Sequence, residues 1–387
     1  MTVAAFLAQK FPEHRALRRD IHAHPELGFE EVRTAGLVAQ RLRAAGYTVT
    51  EGIAKTGLVA TLTRGEGPAI GLRADMDALP MEERTNLPHA SRTEGVFHGC
   101  GHDGHTTSLL ATAEALAAHG SFAGTVHLIF QPAEEGLSGG LRMVEEGLFD
   151  RFPCDRIYGF HNMPLLPMGH AGVRPGPAMA SSDGFVLRFS GKGGHAAMPH
   201  LGQDIALLMS EITLAAQSLV SRGVNPLHAA VLSVTQMHVG TAHNVIAGEG
   251  WMSGTIRCLD PGDRATIEDR FRALITHHAQ ARDIEVEIEW VRGYPPLAND
   301  PAAAAHALSV LSSDAAPVTA SQADPLMAAE DFAYMLDTVP GAYFFFGMAV
   351  EGEDNPMVHH PAYDFRDELI PIIAESMVAL VESELPA

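Results

Sequence analysis

Cysteine is scarce in this chain, with three residues, Cys100, Cys154 and Cys258, among 387. So few thiols argue against a disulfide framework. Basic residues are also in deficit: 26 Lys plus Arg face 47 Asp plus Glu, a formal net charge of −21. A surface this acidic repels phosphate backbones and anionic lipid, so neither nucleic acid nor a membrane is an expected partner. No window reaches the ~18 consecutive apolar residues of a membrane helix. The opening stretch, MTVAAFLAQKFPEHRALRRD, meets charge too early for a signal-peptide core and carries no cleavage-like site, so the expected location is the cytoplasm. Internal repeats and low-complexity segments are absent too.

What remains is a globular composition, 46% hydrophobic and 19% charged. At roughly 150 residues per domain the length suits two domains. Histidine is abundant, with 21 residues, and the question is which of them cluster with carboxylates or a thiol.

Apolar spacing predicts helices over 4–20 and 29–45, the second closing at Gly46, then strands at 58–62 and 69–73. A helix at 106–118 and a strand at 126–130 follow, an alternation that implies a largely parallel sheet flanked by helices. The RPGPAMASS stretch, 174–182, reads as a linker. Beyond it the expected order is a strand (185–189), a helix (204–220), strands at 230–239 and 245–258, a helix (263–279) and a strand (284–291). This βαββαβ order is that of a ferredoxin-like sandwich. Tyr294-Pro295-Pro296 marks its end. The tail, with a helix near 330–336, a strand at 342–346 and a helix over 367–384, has too few strands to fold alone. The expected organisation is therefore an α/β domain of residues 1–181 and 294–387, interrupted by an inserted domain at 182–293.

Four segments carry chemistry, each at the end of an element, where open α/β sheets place their ligands. In RADMDALP, Asp75 and Asp77 lie two apart, so an extended backbone turns both carboxylates to one side. Two such anions need a cation or proton between them, unless this is a solvated turn. In HGCGHDGH, Cys100 and His102 flank one glycine, and thiolate plus imidazole suits zinc or another late first-row metal. An inert core thiol beside helix-entry histidines is the plainer alternative, and Asp103 suits a helix N-cap. FQPAEEG follows an apolar strand, and its glutamates, Glu134 and Glu135, can face different targets. Metal-assisted hydrolysis uses one carboxylate on the ion and another as proton acceptor, although a lone EEG is commonly an acidic loop. His161 and His359 each precede a proline-containing turn and carry little signal by spacing alone.

Taken in order, these segments resemble the zinc-peptidase-like amidohydrolase family of aminoacylases, hippurate hydrolases and indole-acetyl-amino-acid hydrolases. The resemblance runs from HAHPELGFEE, 22–31, to HHPAYDF, 359–365, and includes HNMP and GKGGHAAMPH. It implies a catalytic domain with an inserted lid or dimerisation domain. It also implies two divalent metal ions per subunit: zinc, or manganese, cobalt or nickel. Cys100, His102, Glu135, His161 and His359 would hold them, with Cys100 bridging. Asp75 stands where other branches carry a histidine ligand, and Asp77 would orient a ligand. Glu134 would be the general base, and His195 would contact the reacting carbonyl. Asn244 and Arg257 would lie near the substrate. The implied activity is hydrolysis of the amide of an N-acyl amino acid by a cytoplasmic homodimer or dimer-based tetramer. A dipeptidase on the same site, a metal-independent thiol hydrolase using Cys100, and a non-catalytic metal-binding protein remain open at this point.

Overall fold

The computed structural model describes residues 1–387. The chain divides into two compact units, the first built from Met1–Gly176, Ala298–Asp324 and Asp331–Ala387, the second from Pro177–Leu297 and Pro325–Glu330.

The first unit is organised by an 8-stranded sheet whose central strands, Gly124–Gln131, Ala69–Asp75, Arg156–Pro167 and Gly341–Ala349, run parallel. Thr48–Ile53 and Gly57–Arg64 extend one side antiparallel, and His170–Val173 and Thr319–Gln322 extend the other. Ala69–Asp75 is buried along nearly its whole length, as a central strand covered on both faces must be. Its Leu72 faces Leu128 on one neighbour and Tyr158 on the other, which brings Asp75 level with Gln131 at the carboxyl edge. The His102–His119 helix packs against Val3–Ala23 and Leu369–Glu384 and is buried almost throughout, so its first turn is held against the strand ends. Gly104 allows this closeness: a Cβ there would lie 2.3 Å from the Phe365 ring.

The second unit holds a 4-stranded antiparallel sheet ordered Ala230–Val239, Glu249–Cys258, Asp183–Ser190, Glu285–Val291. In chain order these are strands two, three, one and four, the ferredoxin-like arrangement. Helices Ile205–Ser221 and Pro261–Gln280 bury Leu208, Ile212, Ile267 and Phe271 against Phe185, Leu187 and Met252. Each helix starts at an aspartate cap: Asp204 accepts from the Leu207 N–H and Asp260 from the Asp263 N–H, both at 2.9 Å.

Several expectations need correction. The helix expected over 29–45 spans Val32–Ala44, because Glu26 caps it by accepting from the Arg33 and Thr34 N–H groups at 2.8 Å, and Phe29 sits at φ 65°. The expected 245–258 strand is two pieces: Val245–Ile246 pairs with Gly194–His195, and only Glu249–Cys258 joins the main sheet. The 174–182 linker contains a strand, Gly176–Met179, and the helix near 330–336 shrinks to Ala333–Leu336. Strands Thr48–Ile53, Arg156–Pro167, His170–Val173 and Thr319–Gln322 and the helix Pro301–Leu311 were not expected. Arg156–Pro167 reads poorly as a strand because glycine, histidine and two prolines interrupt its apolar run.

Candidate metal centre

Of the residues singled out, Asp75, Asp77, Cys100, His102, Glu134, Glu135, His161 and His359 converge in the first unit at the carboxyl edge of its parallel strands. Cys100 and His102 come together because Gly101 stands at φ 96°, where a side chain would be strained. A Cβ on Gly101 would also lie 2.4 Å from Asn162 Oδ1 and 2.5 Å from the Tyr363 hydroxyl.

His102 is flanked by both aspartates. Its Nδ1 lies 3.2 Å from Asp77 Oδ1, and its Nε2 lies 3.7 Å from Asp75 Oδ2 and 4.0 Å from Glu135 Oε1. With Nδ1–H donating to Asp77, the neutral ring turns its Nε2 lone pair into the cluster, the arrangement of a ligating histidine braced by a carboxylate. His161 is prepared in the same way, its Nδ1 bonding to the Asn162 carbonyl at 2.7 Å while Nε2 faces Cys100 Sγ at 3.3 Å. Glu135 Oε1 lies 3.2 Å from His359 Nε2, and Asp77 Oδ2 accepts from the Glu135 N–H at 2.9 Å. His359, at φ 65°, is brought in by its own N–H donating to the Gly99 carbonyl at 2.7 Å. His360, its neighbour, has its Nδ1 accepting from the Ala362 N–H at 3.1 Å.

One buried atom in this cluster, His102 Nε2, has no hydrogen-bond partner, and Glu135 Oε1 has His359 Nε2 at hydrogen-bonding range. Buried imidazole nitrogens are rarely left without a partner, and this one, 4.0 Å from Glu135 Oε1, forms with it a cradle for a cation. The ligand atoms of Cys100, His102 and His161 lie within 4.8 Å of one another, as do those of Cys100, Glu135 and His359. Cys100 is common to both groups. The donor set therefore fits divalent metal.

The electrostatics agree. Burial opposes protonation of His102, but Asp75, Asp77 and Glu135 outweigh it and raise its pKa to about 10. A positive charge is thus strongly favoured at this ring. Burial, reinforced by His105 and His102, holds the His161 imidazole well below its ordinary value. The Cys100 thiol is pushed well above its ordinary value by burial and by Glu135, Glu134 and Asp75. Without a cation, Cys100 is therefore a poor nucleophile.

Asp75 is engaged through both carboxylate oxygens. Its Oδ1 takes His105 Nδ1 at 2.6 Å and its Oδ2 takes Arg73 Nη1 at 2.8 Å. Although burial alone would raise its pKa, His102, His105 and Arg73 hold this carboxyl well below the usual range. Arg73 in turn binds Gln131 Oε1 at 2.9 Å and Asp331 Oδ1 at 3.2 Å. Asp331 had no role in the sequence reading. It accepts from the Gly140 N–H at 2.8 Å, and its own N–H approaches Glu134 Oε1 at 3.4 Å. Glu134 and Glu135 thus do face different targets. The sequence reading also left His105 and Asn162 unassigned: His105 Nε2 meets Asn162 Oδ1 at 2.6 Å. Their only sequence signal is membership of HGCGHDGH and HNMP.

Asp103 is not an N-cap. Gly101 holds that position, and the Asp103 carboxylate takes Arg18 Nε at 2.8 Å and His22 Nδ1 at 2.7 Å in the core. The remaining expected residues lie in the second unit. There His195 is exposed and its Nδ1 accepts from the Ala197 N–H at 3.1 Å, which leaves the ring proton on Nε2. Asn244 is exposed, with its carbonyl accepting from the Ala196 N–H at 3.0 Å. Arg257 lies on the Glu249–Cys258 strand opposite Val231.

Comparison with known proteins adds an independent line. The model of peptidase family M20/M25/M40 matches residues 71–383. Hippurate hydrolase of Campylobacter jejuni is 41% identical over 360 residues, covering 92% of this chain and 93% of that protein. N-acetyl-L-cysteine deacetylase of Bacillus subtilis is 39% identical over 362 residues, covering 92% of this chain and 84% of that protein. Among solved structures, a Bacillus subtilis protein described as a dinuclear metal binding peptidase superposes with a TM-score of 0.83 at 31% identity, covering 97% of this chain and 98% of that one.

Proposed function

We propose, since this chain belongs to peptidase family M20/M25/M40, that it is a metal-dependent amidohydrolase that cleaves the amide of N-acyl amino acids to a carboxylic acid and a free amino acid. Its similarity to a hippurate hydrolase and an N-acetyl-L-cysteine deacetylase supports this substrate class. The observation that carries the reading is the buried His102 Nε2, left without a hydrogen-bond partner and 4.0 Å from Glu135 Oε1, beside a further buried carboxylate, Glu134. A site built only to hold metal does not require that second acid.

Cys100, His102, Glu135, His161 and His359 would hold two divalent ions, with the Cys100 thiolate common to both. When bound, such ions supply Lewis acidity and make water a nucleophile at neutral pH. Glu134 takes the proton of the attacking water and returns it to the leaving nitrogen. Asp77 orients His102, and His195 donates from Nε2 to the developing oxyanion. Asn244 and Arg257 hold the substrate. The second unit serves as a lid and as the dimer surface, through the exposed edge strand Ala230–Val239. Zinc suits the thiolate, with manganese, cobalt and nickel as alternatives. Three cysteines without a disulfide support a cytoplasmic site of action, and no helix is long and apolar enough to cross a membrane.

The test is a turnover screen of N-acetyl, N-benzoyl and indole-acetyl amino acids against simple dipeptides, run with metal analysis. Higher kcat/KM on at least one N-acyl class than on every dipeptide supports the reading. Preference for dipeptides replaces it with a dipeptidase.

A further inference from the structure

The HPELGFEE segment, 24–31, lies outside the ligand set, yet its residues touch both carboxylate-bearing turns. Glu31 is fully buried, and its Oε1 accepts from the Ala133 N–H at 2.8 Å while its Oε2 accepts from the Thr56 hydroxyl. Ala133 immediately precedes Glu134 and Glu135 and sits at φ 55°, a left-handed conformation that its surroundings must enforce. The far side of that turn is tied as well, the Ala133 carbonyl accepting from the Gly139 N–H at 2.9 Å. The segment presses directly on the turn: a Cβ on Gly28 would lie 2.9 Å from Ala133 Cβ and 2.8 Å from Leu137 Cδ1. Its other end reaches Asp77, because the Glu26 carbonyl accepts from the Ala78 N–H at 2.8 Å.

We propose that Glu31 is a positioning residue for the reaction: by holding the Ala133 N–H, it fixes the turn that points Glu134 and Glu135 in different directions. This rests on the hydrolase reading above. A carboxyl used only to start a helix needs no such bond, and Glu31 makes no side-chain cap to its own helix. A base displaced by a fraction of an ångström loses rate although no reacting group has been removed. Partners that orient a metal site from outside typically matter by about 10- to 100-fold in affinity or activity. Burial pushes the Glu31 carboxyl up to about 7, so the neutral acid is accessible there, and glutamine reproduces its shape.

The experiment compares the full-length wild type with Glu31→Gln, Glu31→Asp and Glu31→Ala, each cobalt-loaded. The readouts are kcat and KM on the best N-acyl amino acid, cobalt affinity of the metal-free chain, and the cobalt absorption band. Glu31→Ala is expected to lose kcat by about 10- to 100-fold, to bind cobalt more weakly and to shift the band. Glu31→Asp, whose shorter arm withdraws the acceptor, gives a smaller loss in the same direction and serves if the alanine variant does not fold. Glu31→Gln recovers most of kcat. Wild-type kcat and an unmoved cobalt band in folded Glu31→Ala or Glu31→Asp overturn the proposal, as does Glu31→Gln matching the alanine variant's defect. If the wild type cleaves no N-acyl amino acid while the cobalt band still depends on residue 31, the hydrolase reading fails and the positioning of the turn stands.

Discussion

Replacing Glu134 by Gln separates proton transfer from metal binding. The amide is nearly isosteric, and its oxygen keeps the 3.4 Å approach of the Asp331 N–H. It cannot accept a proton from water. The other members of the cluster, including Glu135 beside His102 and His359, are untouched, so metal content should stay near that of the wild type. A positioned general base contributes roughly 10²- to 10⁴-fold, or about 3–5 kcal/mol of barrier. Initial rates across pH, with metal measured on the same samples, read both quantities. We expect kcat to fall by at least ~100-fold at every pH and KM to change little. Excess metal should not restore the rate. If Glu134→Gln instead loses its metal and recovers in excess metal, the roles of Glu134 and Glu135 are exchanged and the assignment is refuted.

Cys100→Ser should weaken metal retention and shift preference away from soft metals, and alkylation of wild-type Cys100 should be slower with metal than without. Unchanged metal content would place the thiol outside the ligand set. Gly101→Ala, which forces a Cβ against Asn162 and Tyr363 at φ 96°, should cost about 1–3 kcal/mol of stability and lower metal affinity, read by denaturant melts and metal titration. Burial opposes protonation of His22, yet Asp103 and Glu83 raise its pKa from 6.5 to about 8. The stability this contributes is complete below pH 6.5 and lost as pH rises through 8, about 2 kcal/mol in all, so the gap between wild type and His22→Gln should shrink over that window. A gap independent of pH would contradict it. Finally, mixing Glu134→Gln with His195→Ala under subunit exchange should regain activity if His195 serves the partner's site, whereas proven exchange without recovery would mean that it serves its own chain or does not serve catalysis.

Which parts of this architecture could be read from sequence follows from how local the signals are. The βαββαβ block was legible because its helices begin at aspartate caps and its strands alternate burial, as in Glu285–Val291. The Arg156–Pro167 strand was not, since its partners Ala69–Asp75 and Gly341–Ala349 are remote in sequence and supply the pairing that its own residues do not advertise. Cys100, His102, Glu134 and Glu135 stand out because two short motifs concentrate them. Asp331 and Glu31 do not, because their significance lies in contacts with Arg73 and Ala133 across 258 and 102 residues. Asp103 shows the opposite error. Its composition fits a cap, but the buried Arg18 and His22 claim its carboxylate first.

The central claim, that this cluster performs metal-dependent amide hydrolysis, is tested most directly by stripping the protein with chelator and titrating zinc, manganese or cobalt back. Release of benzoate and glycine from N-benzoylglycine is followed alongside. The account predicts no turnover in the stripped protein and a rate that rises with bound metal to a plateau at two ions per chain. Full activity in the metal-free protein would contradict it.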